Sequence, residues 1–200
     1  MNWISGISCE IFNGAGSHTI IIETITLAGA LLTIVLIGAW TVRTGVPPLP
    51  TTPGVRHTIH GMLPRDVTGT IVDLGSGWGG LARMLARRYP DRPVIGYELS
   101  PIPFFVARIW QALIPQGNLQ YHRVDFMSVD LSDVGLVACF LYPGAMATLE
   151  PKLARELCSG ARVVSNFFAL PRRQATETRT APDLWSSPVY MYVYGDREGR

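Results

Sequence analysis

Four glycines fall in the six residues from Gly75 to Gly80, and this run constrains the fold of the chain more than any other feature. Thr70–Leu74 before it reads as a short strand. Trp78–Arg88 after it reads as a helix, with Leu81, Met84 and Leu85 at the i, i+3, i+4 spacing of one buried face. Glycines between a strand and a helix allow a tight turn and let a ligand approach the backbone. The helix N-terminus behind them is expected to offer unpaired N–H groups to an anion. The pattern G-x-G-x-x-G is met through Gly75, Gly77 and Gly80, which by itself also suits a nicotinamide dinucleotide.

Strand and helix patterns alternate after this unit. Val94–Leu99 reads as a strand, Pro101–Leu113 as a helix and Leu119–Val124 as a strand. Val134–Leu141 is nearly continuous in apolar residues, as expected of a central strand buried on both faces. Ala145–Leu157 reads as a helix and Ala161–Phe168 as a fifth strand. Val189–Tyr194 reads as an edge strand paired with Ala175–Thr180. The alternation implies an α/β, Rossmann-like sheet of seven strands, mostly parallel with an antiparallel edge and with helices on both faces.

Three carboxylates close successive strands beside the glycine turn. Asp73 lies two residues before Gly75, Glu98 ends the second strand, and Asp125 follows the third in Arg123-Val124-Asp125-Phe126. A carboxylate at Asp73 repels a dinucleotide phosphate but suits the cationic ammonium and sulfonium of S-adenosylmethionine. Glu98 is placed to accept from both ribose hydroxyls, and Asp125 from the adenine amino group. The competing reading of each acid by itself is a helix N-cap or a solvated loop end. The expected cofactor contacts are Asp73, Gly75, Ser76, Gly77, Glu98, Leu99, Asp125 and Phe126, with Ser76 a turn residue rather than a nucleophile. Tyr142, at the end of the fourth strand, is the candidate for shaping the channel of a second substrate or orienting an amine there, and Asn166, near the end of the fifth, for a hydrogen-bond donor in the pocket. Tyr142 reads equally as an aromatic packed under the next helix, and Asn166 as a strand cap. Trp78 and Met146 read more readily as packing residues than as the lining of a site mouth.

An N-terminal segment stands apart. Thr24–Val42 holds 19 consecutive uncharged residues, bounded by Glu23 and Arg43, with Trp40 near one border. At about 1.5 Å per residue this run spans roughly the 30 Å core of a bilayer. A cleaved signal peptide fits less well, because no Lys or Arg precedes the run and the run is long. A buried core helix of 19 uncharged residues is the other alternative. The reading is a short extracytoplasmic N-terminus (1–19), one transmembrane helix (20–43), a proline-rich linker with a short helix around Val55–Met62 (44–66), and a cofactor-binding domain (67–200). Arg43, Arg56 and Arg65 follow the run, so the domain is expected on the cytoplasmic side of the cell membrane.

The rest of the composition excludes more than it suggests. The net charge of +2 contains no like-charged block that would suit nucleic acid. Cys9, Cys139 and Cys158 have neither CxxC nor His spacing, so no metal site or disulfide framework is expected. Cys139 and Cys158 read as buried thiols. His57, His60 and His122 have no ligand partners in view and read as structural or exposed.

Residues Pro47 to Phe168 resemble a small family of lysine methyltransferases that modify the ATP-synthase c subunit and the adenine nucleotide translocase in mitochondria, with prokaryotic relatives. The likeness is carried by the proline-rich lead, Asp73-Leu74-Gly75-Ser76-Gly77, Gly96-Tyr97-Glu98-Leu99 and Asp125-Phe126. It continues more loosely through Leu141-Tyr142-Pro143-Gly144, Leu149-Glu150-Pro151-Lys152-Leu153 and Val163–Pro171. Where that family follows the glycine loop with an acid, glycine and arginine, this chain has Trp78-Gly79-Gly80. The resemblance implies S-adenosylmethionine as cofactor, with Asp73, Gly75, Gly77, Glu98 and Asp125 as its contacts. The acceptor it implies is a lysine of a membrane-associated protein. Methylation of a lipid or apolar small molecule, and a cofactor-binding scaffold without catalysis, remain as alternatives.

Overall fold

The computed structural model describes residues 7–44 and 51–195. The chain divides into two compact units, Met1–Pro47 and Pro48–Arg200. The residues 45–50 of the expected proline-rich linker lie outside the described residues, as do residues 1–6 of the expected N-terminal segment.

The first unit is one helix, α1 (Ile7–Thr44), which starts well before the expected span. Its window His18–Val35 is long and apolar enough to cross a membrane, and no part of that window is buried. Threonines interrupt the apolar run, and at three of them the hydroxyl is satisfied inside the helix. Thr24, Thr26 and Thr33 donate back to the carbonyls of Ile20, Ile22 and Gly29 at 2.7, 2.7 and 2.8 Å. This i−4 bonding satisfies the hydroxyl within the helix itself.

The second unit opens with α2 (Pro53–Met62). Thr52 is its N-cap and accepts from the Val55 N–H, while Pro53 supplies a preset φ at the first position. Then follow β1 (Thr70–Leu74), α3 (Gly80–Arg88), β2 (Val94–Tyr97), α4 (Pro101–Leu113), β3 (Leu119–His122), a 3-10 turn at Phe126–Ser128, β4 (Val134–Cys139), α5 (Pro143–Glu156), β5 (Arg162–Asn166), β6 (Glu177–Thr180) and β7 (Pro188–Val193). The seven strands form one sheet in the order β3-β2-β1-β4-β5-β7-β6. β1 to β5 are parallel, and β7 pairs antiparallel with both β5 and β6.

Alternation along the strands divides the core into two clusters, one on each face of the sheet. Ile71, Leu136 and Val164 pack with Ile59 of α2, Leu85 of α3 and Ala107 of α4. Val72, Val137 and Val163 pack with Met146, Leu149 and Leu153 of α5. Met146 is fully buried there and has no part in a site mouth.

Two expectations are corrected. The segment read as the edge strand, now β7, lies inside the sheet between β5 and β6. The edge is β6, short and mostly exposed, with Glu177 and Arg179 ion-paired along it; charge on a short edge strand discourages further pairing. Cys139 is buried as expected. Cys158 is exposed, because it follows the end of α5 in a loop, and its thiol donates to the Ser132 carbonyl.

Candidate functional site

The strand order places the site. β1, β2 and β3 step outward in one direction, and the chain then returns to β4 on the other side of β1. The crevice beyond the C-terminal ends of β1 and β4 is therefore the topological switch point, where open α/β sheets bind ligands. The glycine turn sits there. A side chain at Gly75 would come within 2.8 Å of Leu141, which follows β4. Gly75, Gly77 and Gly79 all have positive φ, a conformation costly to other residues.

The amides of the turn are not free for an anion. Gly75 and Ser76 N–H both donate to the Tyr97 carbonyl at 2.9 Å, and Gly79 N–H donates to the Ser76 carbonyl at 2.9 Å. Gly77 N–H donates to Glu98 Oε2 at 2.8 Å. The expected anion cradle is thus not formed by these four amides, because the end of β2 and the Glu98 carboxylate after it take three of them and the turn's own Ser76 carbonyl takes the fourth. The other oxygen of Glu98 accepts the Ser100 N–H at 2.7 Å, so two backbone amides clamp a nearly buried carboxylate. Each of its oxygens keeps a further lone pair for a ligand.

Asp73 is buried, and its Oδ2 has no hydrogen-bond partner. Burial disfavours its charge and pushes its pKa up to about 7; the Ala82 amide opposes that rise and the nearby Glu98 carboxylate adds to it. Ser76 Oγ is a second buried atom without a partner. Asp73 Oδ2, the spare lone pairs of Glu98 and the unpaired Ser76 hydroxyl leave hydrogen-bonding capacity open around the glycine turn. Their chemistry fits the ammonium, sulfonium and ribose of S-adenosylmethionine, whereas a phosphate would meet negative charge and amides already taken.

Asp125 is exposed, and its Oδ1 accepts the Met127 N–H at 2.9 Å, capping the 3-10 turn. The N-cap reading of this acid therefore describes its geometry. Leu99 is exposed next to Glu98, while Phe126 is half-buried and, like Tyr97, packs against the core cluster that includes Val72 and Leu141. His57, His60 and His122 are exposed, and no group of metal-binding side chains occurs among the described residues. Trp78 is half-buried.

Tyr142 and Asn166 lie at the same edge of the sheet, past the ends of β4 and β5. Tyr142 caps α5 and is exposed rather than packed beneath it; a side chain at Gly144 would come within 2.7 Å of its ring. Asn166 is buried, and its Oδ1 has no partner. The next residue, Phe167, has φ 68°, and the Phe168 N–H donates back to the Asn166 carbonyl at 2.8 Å. This three-residue turn of positive φ is rare and strained, and it leaves the Phe167 ring exposed.

Two contributors were missed in the sequence. Tyr121 on β3 donates its hydroxyl to the Gly79 carbonyl at 2.9 Å in a buried contact, bracing the turn from below. Gly96 leaves room for that ring, since a Cβ there would lie 2.6 Å from Tyr121 Cδ1 and 2.9 Å from Ser76 Oγ. The strand alternation Leu119-x-Tyr121 gave the facing of this tyrosine but not its partner.

The comparisons with known proteins agree with this geometry. The family described as the ANTKMT methyltransferase domain matches residues 73–177, from the first acid of the site to the edge strand. The adenine nucleotide translocase lysine N-methyltransferase of Mus musculus is 44% identical over 108 residues, which cover 53% of this chain and 46% of the relative. The Mus musculus lysine N-methyltransferase of the ATP-synthase c subunit is 31% identical over 153 residues, 73% of this chain and 60% of the relative. The chain thus spans about half the length of the curated relatives it matches. Among solved structures, an RNA methyltransferase from Salinibacter ruber in complex with S-adenosyl-L-homocysteine superposes with a TM-score of 0.64 at 25% identity, covering 76% of this chain and 97% of that one. Fold, site and family match lead to one conclusion: the chain belongs to the ANTKMT methyltransferase domain family.

Proposed function

We propose that this chain is an S-adenosylmethionine-dependent methyltransferase that modifies a lysine side chain of a membrane-associated protein. The observation that carries the reading is the buried, unpartnered carboxylate oxygen of Asp73, set at the switch point beside the clamped Glu98. Such a pair calls for a cationic nucleoside. The names of the relatives support the lysine and the membrane protein acceptor.

When bound, the cofactor supplies an electrophilic methyl group on a sulfonium. Asp73 and Glu98 hold its cationic and ribose groups, and Asp125 keeps one oxygen for the adenine. Gly75 and Gly77 keep the turn free of side chains where the ligand approaches. At the acceptor side, Asn166 Oδ1 accepts a hydrogen bond from the incoming amine and orients its lone pair. The exposed rings of Tyr142 and Phe167 favour a lysine ammonium on approach through their π faces. The lysine loses its ammonium proton to solvent before attack, and methyl transfer then needs alignment at about 3–3.5 Å more than it needs a strong base. The anchor is α1, a single membrane-spanning helix, with the second unit on the cytoplasmic side. Arginines follow the apolar run and none precede it.

The test is to incubate the full chain with tritiated S-adenosylmethionine and membranes, then fractionate. Label in methyllysine after acid hydrolysis of protein supports the proposal. Label confined to an organic extract overturns it in favour of a lipid acceptor.

A further inference from the structure

Helix α4 carries an apolar face that the fold does not use. Only Pro103 and Ala107 of its residues are buried. Phe105, Ile109 and Leu113 recur every four residues and are 57%, 58% and 68% exposed, so they form one stripe along the helix. Trp110 and Ile114 widen it. A contiguous apolar stripe of this kind on a small domain marks an interaction surface.

We infer that this stripe of α4 docks the second unit onto a lipid bilayer surface. Charge supports that occupant. No Asp or Glu occurs among the 26 residues from Leu99 to Val124, whereas Arg108 and Arg123 do. Both arginines are exposed. Exposed Phe, Trp and Leu on one side of a helix, with cations and no acids on the helix itself, is the composition of helices that lie in the membrane interface. Connectivity supports it as well. Residues 45–52 join α1 to α2, and eight residues reach at most about 29 Å when fully extended. This second argument rests on the proposed bilayer insertion of α1; the charge argument does not.

Docking along α4 has a consequence for the site. Ser100 caps α4 and gives its N–H to Glu98. The helix on the membrane therefore begins at the acid assigned to the ribose, and the rim of the crevice is held at the bilayer surface.

Photocrosslinking of the full chain in phosphatidylcholine/phosphatidylglycerol vesicles tests this. A p-benzoylphenylalanine is placed in separate proteins at Ile109 on α4, Leu31 on α1 and Thr148 on α5, which covers the opposite face of the sheet. The expected result is lipid adduct at Ile109 at about ten-fold the yield at Thr148, as for an interfacial helix. Crosslinks from Ile109 to a second copy of the chain, or no crosslink above the Thr148 level, overturn the docking surface. The Leu31 probe reports the anchor separately. Adducts at Leu31 without Ile109 overturn the docking alone, adducts at Ile109 without Leu31 keep the docking and overturn the anchor, and adducts at neither overturn both.

Discussion

Replacing Asp73 by Asn removes a titrating group from the core with almost no change of shape. In the folded chain the Asp73 pKa is pushed up to about 7 by burial, against 3.8 when exposed. Below pH 3.8 both states hold the proton and the fold is undisturbed by this group. Between 3.8 and about 7 the unfolded chain releases its proton while the folded chain keeps it, so stability falls as pH rises; above about 7 the loss is complete. At about 1.4 kcal/mol per pH unit, the gap corresponds to roughly 4 kcal/mol in all, of which about 3 kcal/mol falls between pH 5 and 8. The Asn variant has no such slope. Thermal unfolding of the full chain and of Asp73→Asn, without cofactor and at matched pH, measures the difference directly. The melting temperature of the parent should drop relative to the variant by roughly 6–12 °C between pH 5 and 8. Groups remote from Asp73 titrate alike in both proteins and cancel. The variant should also bind S-adenosylhomocysteine more weakly, since it cannot present a negative charge to the ammonium. Parallel melting curves across this pH range would refute the account of Asp73 as a buried carboxylate held for a cation.

Other outcomes follow from particular contacts. Gly96→Ala places a Cβ 2.6 Å from the Tyr121 ring and should cost about 1–3 kcal/mol of stability in chemical denaturation. Asn166→Ala should lower kcat about ten-fold while leaving the S-adenosylhomocysteine dissociation constant within about two-fold, which single-turnover kinetics and calorimetry separate. The chain should not methylate a lysine of its own. Its sole lysine, Lys152, is buried and ion-paired with Glu156 at 2.6 Å, so mass spectrometry after incubation with S-adenosylmethionine alone should find no methyllysine.

Much of the scaffold was legible in the sequence because it is set by local pattern. β1 and α4 fall at the expected residues, Thr70–Leu74 and Pro101–Leu113. The strands read as Val94–Leu99, Leu119–Val124 and Val134–Leu141 all end earlier in the structure. The residues left over are those that leave the ladder to form the rim of the crevice, so the strand pattern outlasts the strand at the functional edge. The position of β7 was not legible. Apolar alternation shows that a strand has buried faces, whereas its neighbours depend on where a distant segment, Glu177–Thr180, returns.

The site was legible in residue type and less so in hydrogen bonding. Asp73 and Glu98 stand beside the glycine turn as their spacing implied. The fate of the turn's amides was not visible, because it depends on Tyr97 and Glu98 arriving across the sheet some twenty residues later. Glycine content announces a turn but not where its N–H groups point. Asp125 shows the same ambiguity in miniature, since an acid after a strand serves a cap and a ligand with the same atoms. The bracing hydroxyl of Tyr121 is a non-local contact, 42 residues from its partner Gly79, and no periodicity carries it.

Isothermal titration of S-adenosylhomocysteine and NAD into the full chain, and of S-adenosylhomocysteine into its Glu98→Gln variant, tests the central claim most directly. The account requires saturable binding of S-adenosylhomocysteine, no measurable binding of NAD, and affinity about ten-fold weaker or worse in Glu98→Gln, the loss of one charge-assisted contact. Binding of NAD in preference to S-adenosylhomocysteine, or an unchanged affinity in Glu98→Gln, would contradict it.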